Sequence, residues 1–207
     1  LDITGGLTLA VWVRPDSSAR VNPFITKGDG QYTLEQPDPK TLEFCIWDGD
    51  PVPLRAKAPE GWLGAWHHLA ATYDGEALRL CVDGQEAASA PHAGSIDHMS
   101  CPVYVGRNPK KRTALRGAVD AARIYARALS PDEVRGLFQG TEVPGAALAL
   151  VFDTFEWRPC EWFTYGGDYG EMPSDGVFCC DGLVSTDRKP HPGFYEYKKI
   201  LEPVRVR

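Results

Sequence analysis

Hydrophobic alternation sets in within a few residues of Leu1. From Leu7 to Arg14 the sequence LTLAVWVR places Leu7, Leu9, Val11 and Val13 on one face and Thr8, Ala10 and Trp12 on the other. Successive side chains of a strand point to opposite faces, so this period predicts a β-strand, ended by Pro15 and Asp16. PFITK, QYTLEQ, TLEFCIW and VPLRAKA follow with the same character, set off by Gly, Pro or Asp. Short apolar segments at this cadence, with no long helical pattern between them, predict an all-β sandwich.

The clearest hairpin signal is WHHLAATYDGEALRLCVDGQEAASA. Leu69, Ala71 and Tyr73 lead into Asp74-Gly75, and Leu78, Leu80 and Val82 lead into Asp83-Gly84. Asp-Gly between alternating segments predicts type I′ turns, because both residues tolerate positive φ. VYVGR and then LRGAVDAARIYARAL read as further strand, the latter as one long strand or a pair.

The period then changes. SPDEVRGLF predicts one short helix, with Ser130 as N-cap, Pro131 at the first helical position, Glu133 closing a capping box, and Val134, Leu137 and Phe138 as its apolar stripe. ALALVFDTF, from Ala147 to Phe155, returns to strand composition. From Trp157 the chain is loop-rich, punctuated by Gly166, Gly167, Gly170, Pro173, Gly176, Gly182, Pro190 and Pro192. Only GFYEYKKILEPV at its end, Gly193 to Val204, has helical spacing, through Phe194, Tyr197, Ile200 and Leu201.

Composition narrows the classes. Hydrophobic residues make up 43% of the 207 and Trp occurs six times, which supports a packed core over disorder. A net charge of -6, with no basic run beyond Lys110, Lys111 and Arg112, leaves no field for neutralising phosphates and argues against nucleic acid. No apolar stretch approaches the ~20 residues that span a bilayer, which argues against a membrane partner. The chain starts at Leu1 without Met or a signal pattern, so a piece of a longer or processed protein is expected, and the compartment is left open.

Six cysteines (Cys45, Cys81, Cys101, Cys160, Cys179, Cys180) include no CxxC pair. Reduced thiols are the plainer reading, with Cys45 and Cys81 as small hydrophobes inside strands, and a disulfide is left open.

The motifs LTLAVWVRPD, FITKGD, WHHLAATYDGEALRLCVDG, VYVGRNP, LRGAVDAARIYARALSPDEV and ALALVFD, in this order and spacing, resemble the LamG-like branch of the concanavalin A-like lectin/glucanase superfamily. The resemblance implies a jelly roll of two antiparallel sheets with one short helix over residues 1–156. That scaffold hosts sugar binders, protein binders, enzymes and spacers, so it does not by itself fix a function.

Residues 157–207 carry a second resemblance. YGGDYGEMPSDGVFCCDGLVSTDRKPHPGFYEYKKILEPV is similar to the end of the catalytic barrel of family 2 glycoside hydrolases, the β-galactosidases, with their YGGDFGD-like turn, FCxNGLV-like segment and DRxPHPxxxExKK. There it forms the loop after the eighth barrel strand and the eighth helix. This implies a LamG-like insertion near the C-terminal end of a galactosidase barrel, beside the substrate entrance, since such barrels place their sites at the βα-loops.

Retaining glycosidases need two carboxylates about 5 Å apart. The family takes them from earlier barrel strands, which nothing before Tyr165 resembles, so this chain alone is expected to be inactive. In the family, the carbonyl of the Phe in the FCxN segment and the Asn three residues on help hold a monovalent cation beside the sugar, and the Phe ring lies near the sugar. The matching positions are Phe178 and Asp181; Asp in place of Asn keeps an oxygen but adds a charge. A buried aromatic and a turn Asp before Gly182 explain them as well.

In the sandwich, His67 and His68 are strand neighbours, so joint metal ligation is disfavoured and core or sheet-surface roles are expected. Asp29, Asp48 and Asp50 lie in Gly-rich turns that could offer oxygens to Ca²⁺, although turn chemistry accounts for them equally. Trp12, Trp47, Trp62 and Trp66 are candidates for stacking on a pyranose; Trp62 and Trp66, around the Gly61 and Gly64 turn, are the pair expected to be exposed. Three functions stand at this stage: part of a β-galactosidase, a non-catalytic carbohydrate-binding module, or a structural or protein-interaction domain.

Overall fold

The computed structural model describes residues 1–18 and 21–150. The strands are β1 (Leu7–Pro15), β2 (Asn22–Lys27), β3 (Tyr32–Asp38), β4 (Thr41–Asp48), β5 (Asp50–Lys57), β6 (His67–Tyr73), β7 (Ala77–Val82), β8 (Gln85–Pro91), β9 (Tyr104–Val105), β10 (Arg107–Asn108), β11 (Thr113–Ala114), β12 (Gly117–Tyr125) and β13 (Leu148–Leu150), with one helix, α1 (Pro131–Phe138), before β13. They form two main antiparallel sheets, β13-β12-β1-β6-β7-β8 and β5-β4-β3-β2-β9, and a small hairpin, β10-β11. This is the expected jelly roll. Among the described residues no helix is long and apolar enough to cross a membrane.

The alternation in β1 is the reason for its place at the centre of the first sheet. Leu7, Leu9, Val11 and Val13 are fully buried and meet Phe24, Leu34, Phe44, Leu69 and Leu80 between the sheets. Each such side chain removed from water contributes about 1.5–3 kcal/mol. The opposite face of β1 is buried too, because α1 lies over it: Ala10, Ala70, Cys81 and Tyr125 pack with Leu129, Val134 and Leu137. Thr8, on that face, donates to the Arg127 carbonyl (2.8 Å) and accepts from Leu129 N–H (2.9 Å), so its burial leaves no polar atom unmet.

The helix starts as its sequence requires. Ser130 Oγ accepts from Glu133 N–H, and Glu133 Oε2 accepts from Ser130 N–H at 2.8 Å, a reciprocal capping box. Arg127 adds a two-pronged contact to Glu133 (2.9 and 2.6 Å) and holds that carboxyl down at about 2.

Only one of the two Asp-Gly turns has the expected form. Asp83-Gly84 is the two-residue I′-type turn, with φ of 50° and 75° and Val82 paired to Gln85. Asp74-Gly75 is not: Tyr73 pairs with Leu78, so the loop is longer, and the Asp74 side chain accepts from the N–H groups of Glu76 (2.9 Å) and Ala77 (2.8 Å) instead. LRGAVDAARIYARAL contains a single strand, β12, in which Ala121 and Ala122 oppose the single residue Val11, a bulge with Ala121 at φ 47°. Of ALALVFDTF, Leu148–Leu150 pairs with β12 as the edge strand, while Val151–Phe155, the loop-rich tail and its predicted helix lie outside the described residues.

Candidate functional site

The two tryptophans expected at the surface part company. Trp66 is 42% exposed, with the Arg14 guanidinium 5.6 Å from its ring centroid. Trp62 is 4% exposed, and the expectation of exposure fails there. Left-handed backbone at Gly61 and Gly64 (φ 74° and 76°) carries the chain round so that Trp62 turns inward, edge-on to Phe24 (6.1 Å) and stacked on His67 (5.0 Å). A ring so enclosed has no face to offer a sugar. Trp12 stacks on Phe138 at 5.8 Å, and Trp47 is half-buried.

His67 and His68 point to opposite faces, as strand neighbours must. His67 Nδ1 lies 2.7 Å from Asp83 Oδ2 beneath Trp62, whereas His68 packs against Trp12 and Phe138 on the helix side. Burial, above all, pushes the His68 imidazole down to about 4, so it is neutral at physiological pH. The three turn carboxylates do not converge: Asp29 accepts from Asn108 (2.9 Å), Asp48 faces His92 (3.1 Å), and Asp50 is exposed. Among the described residues no group of three His, Cys, Asp or Glu side chains could hold a metal ion. Cys45, Cys81 and Cys101 are free thiols; burial pushes the first two up to about 12 and about 11, far from nucleophilic use. Phe178 and Asp181, with Cys160, Cys179 and Cys180, lie outside the described residues.

Two polar arrangements were not legible from sequence. On the outer face of the second sheet, Glu35 and Glu43 stand opposite each other in the β3–β4 register. Lys111 reaches over from the β10-β11 hairpin to Glu35 Oε1 (2.7 Å), while Glu35 Oε2 is buried without a hydrogen-bond partner among the described residues. Burial raises the Glu35 carboxyl, with Lys111 opposing and Glu43 reinforcing.

The second arrangement is a cleft of about 460 Å³ at the β2–β9 edge, lined among others by Asp2, Lys27, His98, Met99, Pro102 and Val103. Lys27 is 4% exposed; its ammonium donates to the Met99 carbonyl and stands 3.8 Å from Asp2 Oδ1. Gln31 Nε2 donates to Asp2 Oδ1 at 2.7 Å and to the Ile3 carbonyl at 3.2 Å, and His98 Nδ1 meets Asp2 Oδ2. The result is a carboxylate fixed by three neighbours beside an ammonium fixed by two.

Comparison with known proteins matches the chain in two separate stretches. Residues 1–135 match the family described as the concanavalin A-like lectin/glucanases superfamily, and residues 147–206 match the TIM barrel domain of glycosyl hydrolases family 2. β13 lies in the second stretch yet is hydrogen-bonded to β12 in the first. Among curated relatives, a β-galactosidase of Actinobacillus pleuropneumoniae is 48% identical over 25% of this chain. The match spans 6% of that enzyme's length. Among solved structures, a Bacteroides ovatus protein put forward as carbohydrate-binding aligns with a TM-score of 0.61 and 19% identity, covering 71% of this chain and 45% of that one. Domains LG4-5 of the mouse laminin alpha1 chain align with a TM-score of 0.52 and 22% identity, covering 63% and 39%. At these identities the two structures speak to the fold.

Proposed function

We propose that this chain, which belongs to the concanavalin A-like lectin/glucanases superfamily, is a part of a family 2 β-galactosidase whose jelly roll assists carbohydrate binding at the substrate entrance. The observation that carries this reading is the joining, in one chain, of a lectin-type jelly roll to a stretch matching the family 2 barrel at residues 147–206. The identity to β-galactosidases supports galactosides as substrate class, and the Bacteroides ovatus structure supports a carbohydrate-directed role for the sandwich.

In this reading the parent releases terminal galactose with retention, through two glutamates supplied upstream of Leu1. The tail contributes Phe178 against the sugar, and the Phe178 carbonyl with the Asp181 carboxylate to a monovalent cation. Trp66 offers the exposed aromatic surface on the jelly roll. The remainder of the barrel is then the chain's principal partner.

The test is hydrolysis of o-nitrophenyl β-galactoside by the protein encoded by the whole reading frame, beside the 207-residue chain alone. Activity is expected in the first and none in the second; an inert whole protein overturns the reading. Within that protein, Asp181→Asn is expected to change the dependence of the rate on sodium and potassium, and an unchanged dependence removes Asp181 from the cation site.

A further inference from the structure

The cleft at the β2–β9 edge is, we propose, a saccharide site that takes a vicinal diol, an inference that rests on the carbohydrate-directed role of the jelly roll and gives it an address. Lys27 carries three N–H donors. The Met99 carbonyl takes one and the Asp2 carboxylate, 3.8 Å away, faces the ammonium, so donor capacity remains at the cleft wall. A buried ion pair is a weak stabiliser compared with apolar packing, so stability alone does not account for an ammonium at 4% exposure.

The carboxylate beside it is held in one orientation. Fully buried Gln31 bridges Asp2 Oδ1 to the Ile3 carbonyl, and His98 meets the other oxygen. A fixed acceptor next to a fixed donor suits two adjacent hydroxyls, one donating to Asp2 and the other accepting from Lys27. Because the pair is neutral as a whole, it favours an uncharged polyol over a simple ion. Met99, Pro102 and Val103 supply an apolar wall for the C–H face of a pyranose. The volume, about 460 Å³, falls within the range of small-molecule sites, roughly 300–1,000 Å³.

The chain contains two methionines, Met99 and Met172, so ¹³C-methyl methionine labelling of the full chain gives a direct probe of the cleft. Titration with methyl β-D-galactopyranoside and with lactose is expected to shift the Met99 methyl signal saturably, with Kd on the order of 1 mM. The per-O-methylated galactoside, which cannot donate, is expected to shift nothing. Asp2→Asn, at a partly exposed position that leaves the core intact, is expected to weaken binding at least tenfold, and Lys27→Met likewise. Binding that leaves Met99 unmoved and persists in Asp2→Asn overturns the cleft while sparing the carbohydrate role. A Met99 shift with the per-O-methylated sugar overturns the diol chemistry. Silence toward both sugars and a panel of plant and host glycans overturns the inference and the carbohydrate role together.

Discussion

Glu35 and Glu43 face each other across β3 and β4 while each is held by a different cation, Lys111 Nζ at 2.7 Å from the first and Arg55 Nε at 2.6 Å from the second. Like charges directly opposite destabilise a strand pair. Here the two cations, one from the β10-β11 hairpin and one from β5, make the pairing tolerable. Removing Lys111 (Lys111→Met) is therefore expected to cost about 1–3 kcal/mol, discounted because Lys111 is itself a third exposed. Glu35→Gln is expected to cost far less, since it removes the buried charge with its repulsion. The Glu35 carboxyl is raised in the fold, so the native state holds its proton to higher pH than the unfolded chain. Its contribution is thus fully present below the unfolded value and is lost as pH rises through the folded one. Urea unfolding at pH 5 and pH 7 checks this: Lys111→Met should recover stability on acidification, and the double variant with Glu35→Gln should not.

His68 gives the opposite sign. Its imidazole is pushed down to about 4 from 6.5, chiefly by burial against Trp12 and Phe138. The unfolded chain takes up this proton first, so stability is full above about pH 6.5 and declines as pH falls toward 4, by up to about 3 kcal/mol. His68→Phe, which keeps a ring between Trp12 and Phe138, should flatten that part of the pH profile. Thermal unfolding of both proteins between pH 7 and pH 4 measures it, and parallel profiles would remove His68 from the acid response.

Gly117 begins β12 at φ 149°, where an added Cβ would lie 2.1 Å from the Arg14 carbonyl oxygen. The obstacle is backbone, not a side chain that can swing away. Gly117→Ala is expected to destabilise by about 2–4 kcal/mol through strain and displacement of the β1–β12 pairing. Gly49→Ala, also at positive φ but with nothing within 4 Å, isolates the conformational part and should cost less in the same denaturation assay.

Trp62 and Trp66 are four residues apart and energetically unlike. Trp62→Ala empties a space between Phe24 and His67 and is expected to cost about 3–5 kcal/mol. Trp66→Ala removes an exposed ring and one contact with Arg14, worth about 0.5–1 kcal/mol. Chemical denaturation separates the two, and glycan titration of the stable Trp66→Ala chain shows whether that ring contributes to binding.

These contrasts show what was legible along the chain. β1, the Asp83-Gly84 turn and the Ser130 capping box follow from local period and chemistry, and the structure has them where the sequence puts them. The inward turn of Trp62 was not legible, because burial of a turn residue is decided in part by Phe24, which comes from the sequence-distant strand β2. The Asp74-Gly75 loop failed as an I′ turn because the Asp74 side chain captures two backbone N–H groups, a competition that the dipeptide does not reveal. The cleft joins Asp2, Lys27, Gln31 and Met99, and the Glu35–Glu43 pairing depends on strand register; neither leaves a motif. The family 2 match of the tail was legible for the opposite reason, since its motif is contiguous in sequence.

The measurement closest to the central claim is ¹H NMR of the first galactose anomer released when the whole encoded protein hydrolyses p-nitrophenyl β-galactoside. The account predicts hydrolysis with β-galactose appearing first and mutarotating afterwards, as a retaining family 2 enzyme requires. No hydrolysis, or α-galactose as the first product, would contradict it.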